Sequence, residues 1–335
     1  MPVLGTGIIP SGAIGNELNA LTRRAFIPKM VVQLYKASPT LSAMIANAQM
    51  ASGGVSSVTV PLQGSAFVTG QWSDYTGTFT QPAPTAGALN AEFNLKLAIV
   101  PIPFLGMEGI VQVNAAVIPI VEARMNDAGN VIKDLISTAI WQNDVGANAQ
   151  QLLGFPAVTN TTGVYGNVDR SLQTYWKAYN KAMSSVAPTR NTTLENITGT
   201  TVNSGGEMPN FAVTSPATWA KLAEDFTSLE QYQVNEASAY GDNPNGARAL
   251  FTALMVAGVP VYMDTYGVDG TIYYLNTNYL SLYIHEDAAF AFTGFESTIP
   301  NFQLGYVGAL LTVLELVCTK CMAQGKATGY TFVTL

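Results

Sequence analysis

Residues 117–143 read VIPIVEARMNDAGNVIKDLISTAIWQN, and their periodicity decides how the rest of the chain is parsed. Val117, Val121, Met125, Ala128, Ile132, Leu135 and Ala139 recur at spacings of three and four, as on one face of an α-helix. Glu122, Arg124, Asp127, Lys133 and Asp134 fall mainly on other faces. Pro119 suits a first helical turn, where a backbone N–H has no partner to lose. From Pro119 to Asn143 the helix spans 25 residues, or about 38 Å at 1.5 Å per residue. That is long for a globular helix and fits a spine crossing a subunit.

Upstream, the pattern changes from helical to alternating. Val55, Val58, Val60 and Leu62 alternate with Ser57, Thr59 and Pro61, which predicts a strand. Leu89, Ala91, Phe93, Leu95 and Leu97 predict a second. Between them, Gly64 to Leu89 is rich in Gly, Thr, Ser, Gln and Pro, with Trp72, Tyr75 and Phe79 interspersed. Two strands flanking a long polar tip describe an extended hairpin. A lone hairpin is marginal in water, so it needs a surface to lie on. Residues 1–52 read as a Gly-broken arm followed by a helical run over 29–50 that Pro39 divides.

Downstream of the helix, Gly146 to Gly166 is a loop region. Asp169-Arg170-Ser171 leads to Leu172, Tyr175, Trp176, Tyr179 and Met183 at helical spacing. Asn210 to Pro216 predicts a strand ending in a helix start, with Ser215 as cap, Pro216 as first residue, and Trp219, Leu222, Phe226 and Leu229 on the buried face. After a polar loop from Asn235 to Ala247, short strands are expected at 258–263, 271–275, 280–284 and 288–292, with a turn at Asp269-Gly270. The run Val307 to Val317 is apolar on both faces except at Thr312 and Glu315, as in a strand covered on both sides.

Composition narrows the function. Hydrophobic residues make up 48% of the 335 and charged residues only 11%, against roughly a quarter in ordinary soluble domains. A surface this poor in charge, with 14 Phe, 15 Tyr and 4 Trp, is expected to be covered largely by copies of itself. The net charge of −7 argues against a dedicated nucleic-acid binder. It is unevenly placed: Arg23, Arg24, Lys29 and Lys36 against Glu17 give residues 1–40 a net +3, leaving −10 for the rest. Such an arm can lie near phosphate without reading sequence. No signal peptide is visible, and the best membrane candidate, residues 97–107, is too short to span and carries Pro101 and Pro103.

Signals for chemistry are sparse. The single histidine, His285, stands in His285-Glu286-Asp287 just after a predicted strand. A hydrolase or binding protein would use it as a base oriented by Glu286 or Asp287, but no nucleophile motif accompanies it, and a surface turn is the simpler reading. No phosphate loop, dinucleotide fingerprint, zinc helix or calcium loop occurs. Asp264, Asp269, Glu286 and Asp287 read as turn acids rather than ion ligands. Cys318 and Cys321 form one Cys-x-x-Cys; on an extended strand residues three apart lie roughly 10 Å from each other, too far for a disulfide, and one histidine leaves a zinc site short of ligands. Reduced, partly buried thiols are expected, with no cofactor and no metal.

Taken in order, these elements resemble the major capsid proteins of tailed bacteriophages, the Hong Kong 97 phage type of coat fold that encapsulins share. Pro119 to Asp144 with its Gly-rich exit resembles the family's long spine helix. Asp169-Arg170-Ser171 with Trp176, and Asn210 through Leu222, resemble the start of the axial domain. Gly258-Val259-Pro260-Val261, the Asp269-Gly270 turn and the strands to Phe292 resemble its second half, and Val307 to Lys320 the final peripheral strand. The likeness covers most of the chain from about residue 55.

The resemblance implies an α+β coat fold with an N-terminal arm at 1–52, an extended hairpin loop at 53–100, a peripheral domain from 101–150 and 300–335, and an axial domain at 151–299. It implies a structural subunit, not an enzyme, that closes as pentamers and hexamers into an icosahedral shell around double-stranded DNA, made in the host cytoplasm and resident in the virion. Trp72, Tyr75 and Phe79 then lie in an inter-subunit contact, and Arg23, Arg24, Lys29 and Lys36 on the DNA side. A separate scaffolding protein, a portal and decoration or cement proteins are the implied partners. Some family members join subunits through a lysine on the extended loop; residues 53–95 contain none, so no such bond is expected. An encapsulin-like compartment around protein cargo is the nearest alternative.

Overall fold

The computed structural model describes residues 38–64, 72, 76, 87–105, 120–227, 253–297 and 305–331. Arg23, Arg24, Lys29 and Lys36 of the basic arm, Tyr75 and Phe79 of the hairpin tip, and the loop from Asn235 to Ala247 lie outside these residues.

The described elements begin with helix α1 (Pro39–Ala46), strand β1 (Gln49–Ala51) and the paired strands β2 (Ser57–Gln63) and β3 (Ala88–Asn94). Strand β4 (Lys96–Leu105) precedes the long helix α2 (Ile120–Gln142). Next come a short helix α3 (Phe155–Val158) and the two-residue strands β5 (Val164–Tyr165) and β6 (Val168–Asp169). Strand β7 (Tyr179–Ala182), helix α4 (Arg190–Asn203), strand β8 (Phe211–Thr214) and helix α5 (Pro216–Thr227) follow. Then come β9 (Leu254–Val256), β10 (Val259–Met263), β11 (Ile272–Leu275), β12 (Leu280–His285), β13 (Ala291–Phe292), β14 (Glu296–Ser297), β15 (Gly305–Cys318) and β16 (Gly325–Thr328).

Two compact units emerge. Among the described residues, one holds those within 99–132 and 290–311, the other those within 36–98, 133–289 and 312–335. The boundaries expected near residues 150 and 300 differ from this: 133–150 and 312–331 group with 151–289. Two contacts explain the difference. Strand β16 lies inside the sheet ordered β7-β16-β11-β8-β10-β9, whereas β15 belongs to the other large sheet. Trp141, near the end of α2, packs edge-on against Phe155 and Tyr273, at centroid distances of 5.7 Å and 5.5 Å.

The core of the larger unit is built on that sheet. Strand β8 is buried at every position, as befits a strand with neighbours on both sides and layers on both faces. It pairs in parallel with β10 and antiparallel with β11. Ala212, Val261, Ile272 and Tyr274 from these strands close over Ile197 of α4 and Leu222 of α5. Helix α5 starts where Ser215-Pro216 predicts: the Ser215 hydroxyl accepts from the Thr218 N–H at 3.3 Å. The Asp269-Gly270 turn is also present, with Gly270 at φ +72° and the Tyr330 carbonyl 2.5 Å from where a Cβ would stand.

Helix α2 runs 23 residues, about 35 Å at 1.5 Å per residue. Its buried face consists of Ala128, Ile132, Ile136, Ala139, Ile140 and Trp141, while Met125 and Leu135 are exposed. The expected stripe therefore holds through Ala128, Ile132 and Ala139 but rotates toward Ile136 and Ile140, as a 3.6-residue period requires. At its end the buried Asn143 caps the exit loop. Its side-chain N–H group donates to the carbonyls of Asn148, Gln151 and Leu152, at 3.2, 3.3 and 2.8 Å. Its Oδ1 accepts from the Asn148 N–H at 3.1 Å.

Helix α1 has a comparable anchor. Ser38 is its N-cap and Pro39 its first residue, and the part of the expected run before Ser38 lies outside the described residues. The buried Asp264 carboxylate accepts from the Ser38 hydroxyl at 2.7 Å, the Thr40 N–H at 3.3 Å and the Tyr266 N–H at 2.9 Å. One of the expected turn acids is thus a helix-end partner, favoured there by the helix dipole.

The expected helical run from Leu172 to Met183 is not a helix. Thr174–Trp176 makes a single 3₁₀ turn, and Tyr179 to Ala182 form β7, paired in parallel with β16. The Trp176 indole N–H donates to the Tyr165 carbonyl at 3.0 Å and the ring is buried. Long-range pairing overrides local spacing here.

In the smaller unit, β13 and β14 pair antiparallel with the first part of β15, placing Ala291 opposite Leu311 and Glu296 opposite Val307. Arg124 of α2 donates to the Pro103 carbonyl at 2.7 Å. The last part of β15 belongs to the larger unit, where Leu282 of β12 faces Leu316 and β1 adds in parallel to β12.

Candidate assembly site

The hairpin β2–β3 pairs in register from Ser57↔Asn94 to Gln63↔Ala88. One face is buried through Val60, Leu62, Ala91 and Phe93. The other exposes Thr59, Pro61, Gln63, Asn90 and Glu92. Alternation thus predicts the inward residues of both strands, although Val55, Leu89 and Leu97 stay exposed.

The root of the hairpin lies on its own subunit, on the small β5–β6 ribbon. The Phe93 ring meets Tyr165 edge-on at 4.9 Å between centroids. The Glu92 N–H donates to the Gly166 carbonyl at 3.0 Å. Gly166 takes φ +60°, and a Cβ there would stand 2.7 Å from the Phe93 ring and 3.0 Å from the Ala91 Cβ. A side chain at 166 would therefore push the hairpin off its seat. At the far end of β2, a Cβ on Gly64 would stand 2.0 Å from the Tyr175 ring. Neither glycine nor tyrosine announces this seat in the sequence, because the partners stand some 70 to 110 positions apart.

Beyond the root, Trp72 is described and its side chain is entirely free of the subunit, at 104% relative exposure. Tyr75 and Phe79, grouped with it by sequence, lie outside the described residues. An indole left wholly in water on one copy offers some 150–250 Å² of ring surface to another.

Below the hairpin seat lies a buried carboxyl. Glu315 of β15 is 1% exposed. Its Oε1 accepts from the Leu153 N–H at 2.7 Å and the Leu316 N–H at 3.1 Å, while Oε2 has no partner. Burial pushes its pKa up to about 8, opposed by the two N–H groups and by the charge of Lys96.

His285 sits at the end of a strand and caps a turn. Its Nδ1 accepts from the Asp287 N–H at 3.2 Å, capping the 3₁₀ turn Glu286–Ala288, and stands 4.0 Å from the Asp287 carboxylate, which is exposed. Among the described residues no hydroxyl or thiol hydrogen-bonds to the ring. No group of three or more His, Cys, Asp or Glu placed to hold a metal occurs among them, and no helix within them is long and apolar enough to cross a membrane.

No family model and no curated protein matches the sequence. Solved structures match over nearly the whole chain. The capsid asymmetric unit of cyanophage A-1(L) is 12% identical, with a TM-score of 0.67, covering 92% of this chain and 97% of that one. An encapsulin from Synechococcus elongatus PCC 7942 is 9% identical, with a TM-score of 0.61, covering 96% and 98%. The capsid of Myoviridae phage XM1 is 11% identical, with a TM-score of 0.58, covering 97% and 100%. The chain therefore has the α+β coat fold of the Hong Kong 97 type, the fold of tailed-phage major capsid proteins and of encapsulins.

Proposed function

We propose that this chain is the major capsid protein of a tailed phage, a structural subunit without enzymatic activity. The observation that carries the reading is the hairpin: its root is seated on Tyr165 and Gly166, while Trp72 beyond it stands bare. A slender ribbon presenting an uncovered indole gains a cover when a sister copy lies against it. Repeated heterologous contacts of that kind close a shell.

In this reading the hairpin tip, including Tyr75 and Phe79, crosses a neighbouring subunit. The smaller unit serves as the peripheral part, and the sheet of β8, β10 and β11 with its helices serves as the axial part about five- and six-fold axes. The arm residues Arg23, Arg24, Lys29 and Lys36 face packaged double-stranded DNA through sequence-independent, salt-sensitive contacts. A separate scaffolding protein, a portal and decoration proteins are the partners of such a shell, which assembles in the host cytoplasm. Without a lysine in residues 53–95, subunits are held by non-covalent contacts at the hairpin.

The coat fold of an encapsulin supports a second reading, a compartment enclosing protein cargo. Electron microscopy of the expressed chain, with and without a co-expressed scaffold, tests both. Closed particles are expected, with nucleic acid inside those made during infection. Protein cargo instead would favour the compartment, and monomers under every condition would end both readings.

A further inference from the structure

Arg170 is fully buried. Its Nε donates to the Trp176 carbonyl at 3.1 Å and its Nη2 to the Val158 carbonyl at 2.9 Å, while Nη1 has no partner. The guanidinium lies over the Tyr165 ring, 4.8 Å from its centroid. None of the ion pairs among the described residues includes it. A buried charge without a counter-charge is costly by several kcal/mol. The titratable group that Nη2 does reach is the Cys321 sulfur, at 3.8 Å.

Cys318 stands beside it. An extended strand would hold the two thiols apart, but β15 ends at Cys318 and the chain turns. The Thr319 N–H is held by the Tyr279 carbonyl at 2.9 Å, and Cys321 opens a 3₁₀ turn to Ala323. The turn folds the chain back between them, and both cysteines are free and completely buried three positions apart. Burial works to raise the Cys321 thiol, but the hydrogen bond from Cys318 and the charge of Arg170 outweigh it and hold it below the ordinary thiol range. Burial and the same hydrogen bond push Cys318 up. One sulfur is thus favoured as thiolate and the other as thiol. The guanidinium also opposes a metal cation, which leaves the chemistry of a dithiol.

We propose that Cys318 and Cys321 are a peroxide-sensitive dithiol, in which Cys321 is the attacking thiolate, Arg170 its counter-ion and Cys318 the resolving thiol. The Cys321 sulfur attacks one oxygen of a hydroperoxide and the O–O bond breaks. Cys321 becomes a sulfenic acid, and the other oxygen leaves as alkoxide, or as hydroxide from hydrogen peroxide. The Cys318 sulfur then attacks the Cys321 sulfur. The S–O bond breaks, its hydroxyl leaves with the Cys318 proton as water, and a disulfide closes. The dithiol loses two electrons and the peroxide gains them. Because both sulfurs lie beneath the surface, the oxidant that reaches them is small and uncharged. A bulky, charged disulfide such as oxidised glutathione is excluded from the native fold.

The test treats the native full-length protein with hydrogen peroxide, then blocks free thiols with iodoacetamide in denaturant and measures intact mass. The expected product has lost two hydrogen atoms and takes up no alkyl group, whereas oxidised glutathione leaves both thiols alkylatable. In Cys318→Ser the resolving step is removed, so dimedone added in denaturant after the peroxide is removed should trap one sulfenic acid, located at residue 321 by peptide mapping. Arg170→Met should slow the peroxide reaction by about tenfold by removing the charge that favours the thiolate; should it fail to fold, the Cys318→Ser result decides. Two alkylated cysteines after peroxide treatment, or no dimedone adduct in Cys318→Ser, would overturn the proposal.

Discussion

The edge of the Phe93 ring meets Tyr165 at 4.9 Å between centroids, with the planes at 62°. That ring contact, with the Glu92 N–H to the Gly166 carbonyl, joins the extended hairpin to the body that carries it. Phe93 is 2% exposed and Tyr165 is fully buried. Replacing Phe93 with Ala removes this contact and leaves a cavity above Gly166. A loss of about 3–5 kcal/mol in subunit stability is expected, read as a lower urea midpoint. A loss under about 1 kcal/mol would mean that the hairpin root contributes little to the fold.

Trp72 behaves oppositely. Its side chain touches nothing in its own subunit, so Trp72→Ala is expected to leave the unfolding of the isolated subunit within about 0.5 kcal/mol of the parent. Particle yield should fall sharply, because a buried aromatic anchor at an interface is commonly worth 2 kcal/mol or more. Analytical ultracentrifugation of assembly mixtures separates the two effects. Equal loss of folding and assembly would refute the assignment of the tip to a contact between copies.

Glu315 sets a pH dependence whose sign is the reverse of an ordinary surface carboxylate. Its folded pKa of about 8 lies above the unfolded value of 4.5. Its contribution is fully present below about 4.5 and is lost as pH rises through 8, because only the folded state still holds the proton in that window. The full shift corresponds to roughly 5 kcal/mol. Glu315→Gln keeps an oxygen for the Leu153 and Leu316 N–H groups and cannot ionise. Urea midpoints measured from pH 5 to pH 9 should therefore decline more steeply in the parent than in the variant. Parallel curves would show that Glu315 is already ionised or hydrated in the folded state.

His285 accepts one backbone N–H and touches no nucleophile. His285→Ala is expected to cost about 1 kcal/mol through the lost cap and to leave particles of normal size in negative-stain images. Failure to assemble from a folded subunit would point to a role for the ring beyond the turn.

The parts of the fold that were legible in the sequence are those whose burial is apolar and local. Helix α2, the inward residues of β2 and β3, and the Ser215-Pro216 helix start each carry their signal within a dozen residues. Helix α4 carries none of the usual kind. Its buried side chains are Thr193, Asn196, Ile197 and Thr200. Its capping box uses Thr192 where Glu or Gln is usual. Thr200 and Thr201 satisfy their hydroxyls on carbonyls four residues back, at 2.9 and 2.8 Å, so polar residues occupy an inward face and no apolar stripe appears. Leu172 to Met183 misled in the other direction. Its helical spacing was local, whereas its partners, Gly325 to Thr328, come some 145 positions later. The hairpin seat was equally illegible, because Gly166 matters only once Phe93 is placed against it. His285 read correctly as a turn residue. The exposed Trp72 was legible as an aromatic in a polar stretch, but not the anchoring of the ribbon that presents it.

The way Asn143 ends the long helix has a consequence for how freely the neighbouring sequence can drift. One amide, itself buried, holds the carbonyls of Asn148, Gln151 and Leu152. Residues 146 and 147, between these anchor points, are exposed, but Gly146 takes φ +83°, where a side chain would be strained even though a Cβ would meet nothing within 4 Å. A segment whose ends are fixed by a single side chain tolerates changes of length and composition between them. Mutation can therefore accumulate at Ala147, or a foreign epitope can be grafted after it, while Gly146 is held by its backbone conformation and position 143 stays under strict selection.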